Sequence, residues 1–466
     1  MAERFTARAV IALVTDDFVD GATDEGRADG FPDRGAGRPG PASADGPLGW
    51  AGYDEARARA AGRTGEEESV VHGTARVGGR ECVLLAFEFG FLGGSLGRAA
   101  GDRLVAAYRT ARERRLPLVS LVATGGSRMQ EGMVALTQLQ RVAAETVRLR
   151  EAGVPHVAVL RDPSTGGGWA TVGAGADVVL ALPDAQVAFA GSRVRPPEAD
   201  PAAYTAEDQW RHGHVDALVA PADLRETLAR WLRLLAPDPA GPDPVSGPAP
   251  APPPGALTDA GAPRTGWEAV TRARGASRPR AGAYLDAYFE ERAALRGDRA
   301  GGADPEVECG FGRHEGRAVA YAAQKGTATR PAGFRTVARL VELAGRLGIP
   351  VLTLIDTPGA ANDAEAERAG AGPAIAAAFA AIAAARTPVT SLLIGEGGSG
   401  GALALAVPGN TWTTPDGYFS VIAPELAAAI LKRAPDEAPA TAEQLRLRPQ
   451  DLVELGCARG IVPPSP

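Results

Sequence analysis

The sequence predicts an α/β protein made of two copies of one domain in tandem. Three observations carry this expectation. Short apolar runs bounded by Gly and Pro alternate with longer helical stretches, the mark of βα layers. Two stretches of the chain repeat each other. A proline-rich segment, residues 236–263, separates them as a semi-extended linker.

The elements follow in chain order. Residues 1–19 read as an N-terminal helical segment with a short apolar run, and acidic residues follow at once, unlike a signal peptide. Residues 20–48 hold Gly, Asp and Pro and almost no large apolar side chain, so they read as a disordered insertion. The first domain is expected over 49–235. Its strands include "PLVSLVA" (117–123) and "VPHVAVL" (154–160), with a helix from about Met129 to Ala152 between them. The second domain is expected over 264–466. It has "PVLTLID" (350–356), an alanine-rich helix around 373–386 and "PVTSLLI" (388–394). From Thr124 to Gly166 is 42 positions and from Thr357 to Gly400 is 43, which pairs the two halves. A repeat of this length means a duplicated domain rather than a solenoid.

Composition excludes several classes. The net charge is −7 and the basic residues are scattered, against nucleic-acid binding by phosphate neutralisation. No stretch approaches ~20 uncharged apolar residues, against a membrane span. The three cysteines, Cys82, Cys309 and Cys457, are dispersed and form no CxxC, which argues for reduced thiols in a cytoplasmic protein and against a disulfide or cysteine zinc site.

The chemistry is expected at two glycine clusters, "PSTGGG" (163–168) and "GEGGSGGA" (395–402), each directly after a strand. A helix start presents N–H groups without internal partners, and glycine lets an oxygen reach them. Such a turn can stabilise an oxyanion or enolate. A phosphate cradle is the rival function, but neither GxxxxGK[ST] nor GxGxxG occurs there. Tight strand–helix packing is the plain alternative. Side-chain candidates are thin. His212 and His214 read as surface residues, and Ser164 and Ser399 as turn residues. Among the acids Glu131, Asp356 and Glu396, Asp356 reads as a turn cap. A chain with oxyanion donors and no obvious base implies that substrate or cofactor supplies the base.

These residues resemble the carboxyltransferase component of bacterial acetyl-CoA carboxylase, in the crotonase-like superfamily. The first half is similar to the beta subunit in "AFEFGFLGGSLG" (86–97), "GGSRMQEG" (125–132), "DPSTGG" (162–167) and "FAGSRV" (189–194). The second is similar to the alpha subunit in "LRGDRAGG" (295–302), "QKGTATRPAGFR" (324–335), "LIDTPGA" (354–360), "IGEGGSGGALAL" (394–405) and "FSVIAPE" (419–425).

The resemblance implies two crotonase-like (ββα-spiral) domains, beta-type then alpha-type, with a site between domains across a homodimer interface. It implies carboxyl transfer from carboxybiotin, on a separate carrier protein, to the α-carbon of an acyl-CoA, with acetyl-CoA to malonyl-CoA as the first candidate. Biotin carboxyl carrier protein and biotin carboxylase are then the partners, in fatty acid or polyketide biosynthesis. Gly166 and Gly167 would hold the thioester enolate, and Gly400, Gly401 and Ala402 the ureido oxygen of biotin. Gly93, Gly94, Gly125, Gly126 and Arg128 would lie on the CoA side, with Arg128 near its phosphates. Gly359, Gly397 and Gly398 would lie on the biotin side. The family's four-cysteine ribbon is missing, so no zinc is expected, and no "MKM" tripeptide occurs, so biotin must come on another protein. After "DTPGA" the family usually continues "YPGIGAEERGQ", where this chain has "ANDAEAERAGA" (361–371). That departure favours the alternative of a biotin-independent malonyl-type decarboxylase or a specialised carboxyl transfer enzyme. A non-catalytic assembly partner is the third reading, disfavoured by the intact glycine clusters.

Overall fold

A computed structural model describes residues 4–21, 44–236 and 248–465. The chain divides into two compact units, Met1–Ala236 and Pro237–Pro466.

The first unit is built on one sheet. Its strands are β1 (Asp17–Asp20), β2 (Val70–Val77), β3 (Arg80–Phe87), β4 (Leu118–Thr124), β5 (His156–Thr165), β6 (Val178–Ala181), β7 (Val187–Ala188) and β8 (Ala217–Leu218), in the order β1-β2-β3-β4-β5-β6-β8, with β7 beside the end of β5. The hairpin β2–β3 is antiparallel, and from β3 onward the pairs are parallel. Strand β4 is buried throughout, which is why it reads as a largely apolar run without alternation. The core packs Leu85, Phe87, Leu118, Val122 and Leu160 against Leu104 and Tyr108 of the helix Arg98–Arg114.

The second unit repeats this plan. Strands β9 (Glu291–Leu295), β10 (Val307–His314), β11 (Arg317–Gln324), β12 (Val351–Thr357), β13 (Val389–Gly398), β14 (Thr411–Thr413), β15 (Tyr418–Ser420) and β16 (Gly460–Ile461) run in the order β16-β14-β13-β12-β11-β10-β9, with β15 beside the end of β13. Much of the repeat is in register without an insertion. The helix Arg98–Arg114 corresponds to Pro331–Leu347, β4 to β12, the helix Gln138–Glu151 to Ala371–Ala383, and β5 to β13, and each pair begins 233 positions apart.

Several boundaries differ from expectation. The N-terminal segment is helical only over Ala7–Val14, where Ala7, Val10, Ile11 and Val14 give one buried stripe. Asp17–Asp20 then joins the sheet as β1, antiparallel to β2. Of the expected insertion, residues 22–43 lie outside the described residues, while 44–49 form a turn tied by Asp45 N–H to Asp54 Oδ2 at 2.8 Å and Asp54 N–H to Asp45 Oδ1 at 3.1 Å. Residues 237–247 of the expected linker also lie outside the described residues. Its later part is packed into the second unit, with Ala251 and Ala256 buried. Proline-rich backbone still offers carbonyls, and Ala251 O accepts from Thr390 Oγ1 (2.7 Å) and Pro252 O from the Tyr288 hydroxyl (2.8 Å). The helix expected over 129–152 is broken into Met129–Glu131, Gly132–Leu136 and Gln138–Glu151. Gly132 has φ +49, which an α-helix does not accommodate.

Candidate active site

Two strand ends in each unit build the site. Strands β4 and β12 end at Thr124 and Thr357, whose hydroxyls accept from the N–H two residues on, Gly126 at 3.0 Å and Gly359 at 3.1 Å. Those glycines take φ +102 and +142, a region that excludes most side chains. A neighbouring loop is then zipped to each turn. Leu96 N–H donates to Gly126 O (2.8 Å) and Thr329 N–H to Gly359 O (3.0 Å). Arg128 N–H returns to Leu96 O (2.9 Å) and Ala361 N–H to Thr329 O (2.8 Å).

Strands β5 and β13 end in the two glycine clusters. Gly166 and Ser399 are the left-handed residues there, with φ +64 and +54. They lie at equivalent positions, the next residue beyond Thr165 and Gly398. The expected pairing of Gly166 with Gly400 is therefore one residue out of step. Gly167 corresponds to Gly400, Gly168 to Gly401 and Trp169 to Ala402.

The structure also narrows the donors. Gly166 N–H already donates to Phe189 O at 3.0 Å, so Gly166 cannot bind an oxyanion through that group. Gly167 and Gly168, like Gly400 and Gly401, are the second and third residues of a helix and have no intrahelical acceptor. A Cβ added at each glycine reports what surrounds it. At Gly401 it would lie 2.3 Å from Ala360 N, at Gly168 2.4 Å from Thr124 Cγ2, and at Gly167 2.6 Å from both methyl carbons of Leu139. At Gly400 no described atom beyond its chain neighbours and its own helix backbone lies within 4 Å.

The remaining glycines divide the same way. Gly397 is kept small by the Phe419 ring (2.4 Å) and Gly398 by Pro358 O (1.9 Å), so the close packing of neighbouring segments is what requires glycine at both. Gly94 lets its loop approach Ala123 O (2.2 Å), and Gly125 N–H donates to Gly93 O at 2.8 Å. Gly126 and Gly166 pack backbone on backbone, with 2.9 Å from the added Cβ of Gly166 to Gly126 Cα. Gly93 has open space and φ +70. Ala402 is buried.

Arg128 is not available to phosphates. Its guanidinium is buried and donates to both oxygens of Glu68 (2.5 and 2.9 Å), to the Tyr53 hydroxyl (3.2 Å) and to Ser95 O (2.7 Å). Burial works against its charge, but Glu68 outweighs this and raises its pKa. Burial, with Glu131 accepting from the hydroxyl at 2.5 Å, pushes Tyr53 up to about 12. Glu131 Oε2 accepts the Arg98 N–H (2.6 Å), the start of the helix Arg98–Arg114. This network fixes the loop that carries Gly125 and Gly126. Sequence reasoning missed it because Glu68 lies 60 positions from Arg128.

Other candidates take structural parts. Asp356 is buried against Arg278 (2.5 Å) and Arg280 (3.2 Å) and accepts from Glu396 N–H (3.2 Å), so it is an ion-pair centre rather than a turn cap. Glu396 accepts from the Tyr418 hydroxyl (2.5 Å) and Arg274 (3.0 Å). Ser164 Oγ is buried and donates toward the carbonyls of Val122 (3.0 Å) and Arg161 (2.8 Å). His212 is exposed beside Asp208. Among the described residues no group of three or more His, Cys, Asp or Glu could hold a metal ion, and no helix is long and apolar enough to cross a membrane.

Comparison with known proteins decides the family. Residues 50–210 match a carboxyl transferase domain model, and residues 262–465 an acetyl co-enzyme A carboxylase carboxyltransferase-like model. The acetyl-coenzyme A carboxylase carboxyl transferase subunits beta/alpha of Saccharopolyspora erythraea are 40% identical over 426 residues, covering 88% of this chain and 74% of that protein.

The chain belongs to the carboxyltransferase family of biotin-dependent acyl-CoA carboxylases.

It is also 35% identical to a probable biotin-dependent acyl-coenzyme A carboxylase beta3 subunit of Mycobacterium bovis, covering 88% of this chain and 82% of that one. The fold of this carboxyltransferase matches transcarboxylase 12S with methylmalonyl-coenzyme A bound, at a TM-score of 0.77 and 18% identity, covering 98% of this chain and 87% of that chain. It matches a single-chain, multi-domain long-chain acyl-CoA carboxylase at 0.71 and 19%, covering 98% and 46%. The carboxyltransferase is thus an enzyme of two tandem crotonase-like units.

Proposed function

We propose that this enzyme moves a carboxyl group between biotin on a separate carrier protein and the α-carbon of an acyl-CoA, with acetyl-CoA to malonyl-CoA as the first reaction to test. The observation that carries the proposal is the repeated glycine turn, with Gly167 and Gly400 at the same position of two copies of one unit. Two substrates with polarised carbonyls need two such turns. The open space at Gly400 fits a carbonyl group, because a side chain there would fill the cradle that the neighbouring N–H groups line. Biotin, when bound, supplies the carboxyl group and a ureido nitrogen that can act as base. The chain's own part is to hold oxygens. Gly167 and Gly168 N–H would bind the thioester oxygen as negative charge develops on it. Gly400 and Gly401 N–H would bind the ureido oxygen. Thr124 and Thr357 keep the adjoining turns in place. The biotin carrier, the carboxylase that loads it and a homodimer of this chain belong to the same proposal.

The segment 361–371 favours a second reading. Here Asp363 caps a short helix Ala364–Arg368 and pairs with Arg330 at 2.9 Å, where the family pattern has a tyrosine, a proline and two glycines that this chain lacks. A biotin-independent decarboxylase would not need the family loop. One pair of assays separates the two. Purified protein is given malonyl-CoA with free biotin, and separately malonyl-CoA alone. Carboxyl transfer that requires biotin supports the first reading, and CO₂ release without biotin replaces it with the second.

A further inference from the structure

The two glycine turns differ in one respect that the repeat makes visible. Leu139 is the second residue of the helix Gln138–Glu151, and its two methyl carbons occupy the space a Cβ on Gly167 would need. The corresponding helix Ala371–Ala383 has Gly372 as its second residue. Beyond its chain neighbours and its own helix backbone, no described atom lies within 4 Å of a Cβ built on Gly372 or on Gly400. What an isobutyl group fills in the first unit is therefore open in the second. Nothing in the backbone asks for glycine at 372. Its φ is not in the left-handed region, it is exposed, and glycine in a helix costs about 1 kcal/mol relative to a good helix former.

We propose that Leu139 and Gly372, one structural position in the two copies, decide the size of the group each turn accepts. Leu139 is a plug that restricts the Gly167 turn to a short acyl group. Gly372 is a gap that admits the bulkier fused ring of biotin over Gly400. The inference rests on the carboxyl-transfer reading and deepens it by assigning specificity. It also gives a size reason for placing the acyl group at the first turn and biotin at the second.

The test uses the full chain and two variants, Gly372→Leu and Leu139→Ala. Leucine at 372 is compatible with the helix and should leave the melting temperature unchanged or higher. It should raise KM for free biotin at least tenfold in transfer from malonyl-CoA, and leave KM for malonyl-CoA within twofold. Leu139→Ala should raise kcat/KM for ethylmalonyl-CoA relative to malonyl-CoA at least tenfold as carboxyl donors to free biotin, with KM for biotin within twofold. An unchanged biotin KM in folded Gly372→Leu overturns the proposal, as does a rise in malonyl-CoA KM instead. Wild-type protein without biotin-dependent transfer overturns the carboxyl-transfer reading. The plug is then still tested by direct titration of acetyl-CoA and butyryl-CoA, and a preference that Leu139→Ala does not move overturns it.

Discussion

Valine at position 400 and valine at position 401 separate chemistry from packing within one turn. At Gly400 the new side chain enters space that no described atom approaches within 4 Å, so the fold should tolerate it. At Gly401 the new Cβ would meet Ala360 N at 2.3 Å and the Gly359 carbonyl carbon at 2.7 Å, both backbone. A backbone cannot rotate away as a side chain does, and overpacking of this kind costs typically ~1–3 kcal/mol. For a unit of this size each kcal/mol lowers the melting temperature by about 2–4 °C, so Gly401→Val should melt about 2–12 °C lower. Gly400→Val should melt within about 2 °C of wild type. Its activity should fall further than its stability. If one N–H donor to a developing oxyanion contributes roughly 10²–10³ in rate, blocking it should reduce carboxyl transfer from malonyl-CoA to biotin by about 10² or more. Calorimetry and the transfer assay are run on both variants and on wild type. Gly400→Val that melts like wild type and transfers within twofold of it would show that the open turn holds neither substrate, and the proposed site would have to move.

Three further outcomes are expected. Gly167→Val pushes first against the flexible Leu139 side chain, so it should fold and still lose about 10² in acyl-CoA turnover, checked by steady-state kinetics. Arg128→Met leaves Glu68 and Glu131 buried without their cation, which should cost about 3–5 kcal/mol in urea unfolding, partly restored by adding Glu68→Gln; a loss under 1 kcal/mol would refute the buried network. Burial lowers the pKa of His156 from 6.5 to about 4. Its neutral form is favoured in the folded state, so this stability is present above pH 6.5 and is lost as pH falls toward 4. The loss is about 3 kcal/mol, and His156→Gln should flatten the melting temperature over that window.

The sequence by itself determined the α/β layers, the duplication and the two glycine clusters. These are local signals. Buried parallel strands such as β4 and β12 leave largely apolar runs without alternation, and a close backbone approach leaves glycine. The pairing of Thr124 with Thr357 was legible for the same reason. Counting alone then put Gly166 opposite Gly400, because several glycines stand in a row and composition does not mark which takes the left-handed turn. Only the tertiary structure decided that Ser399 does so, and that the two clusters align one residue later. It alone decided which faces are open. Arg128 looks like a ligand for phosphate until Glu68, Tyr53 and Ser95 arrive from three other segments and use its donors. Gly397, Gly398, Gly400 and Gly401 look alike in a string of letters. Phe419, Pro358 and Ala360 close three of them, and among the described residues no other segment closes Gly400. The physical reason is that secondary structure is set by the period of side chains along the chain, whereas access to a backbone N–H is set by whatever distant segment packs above it.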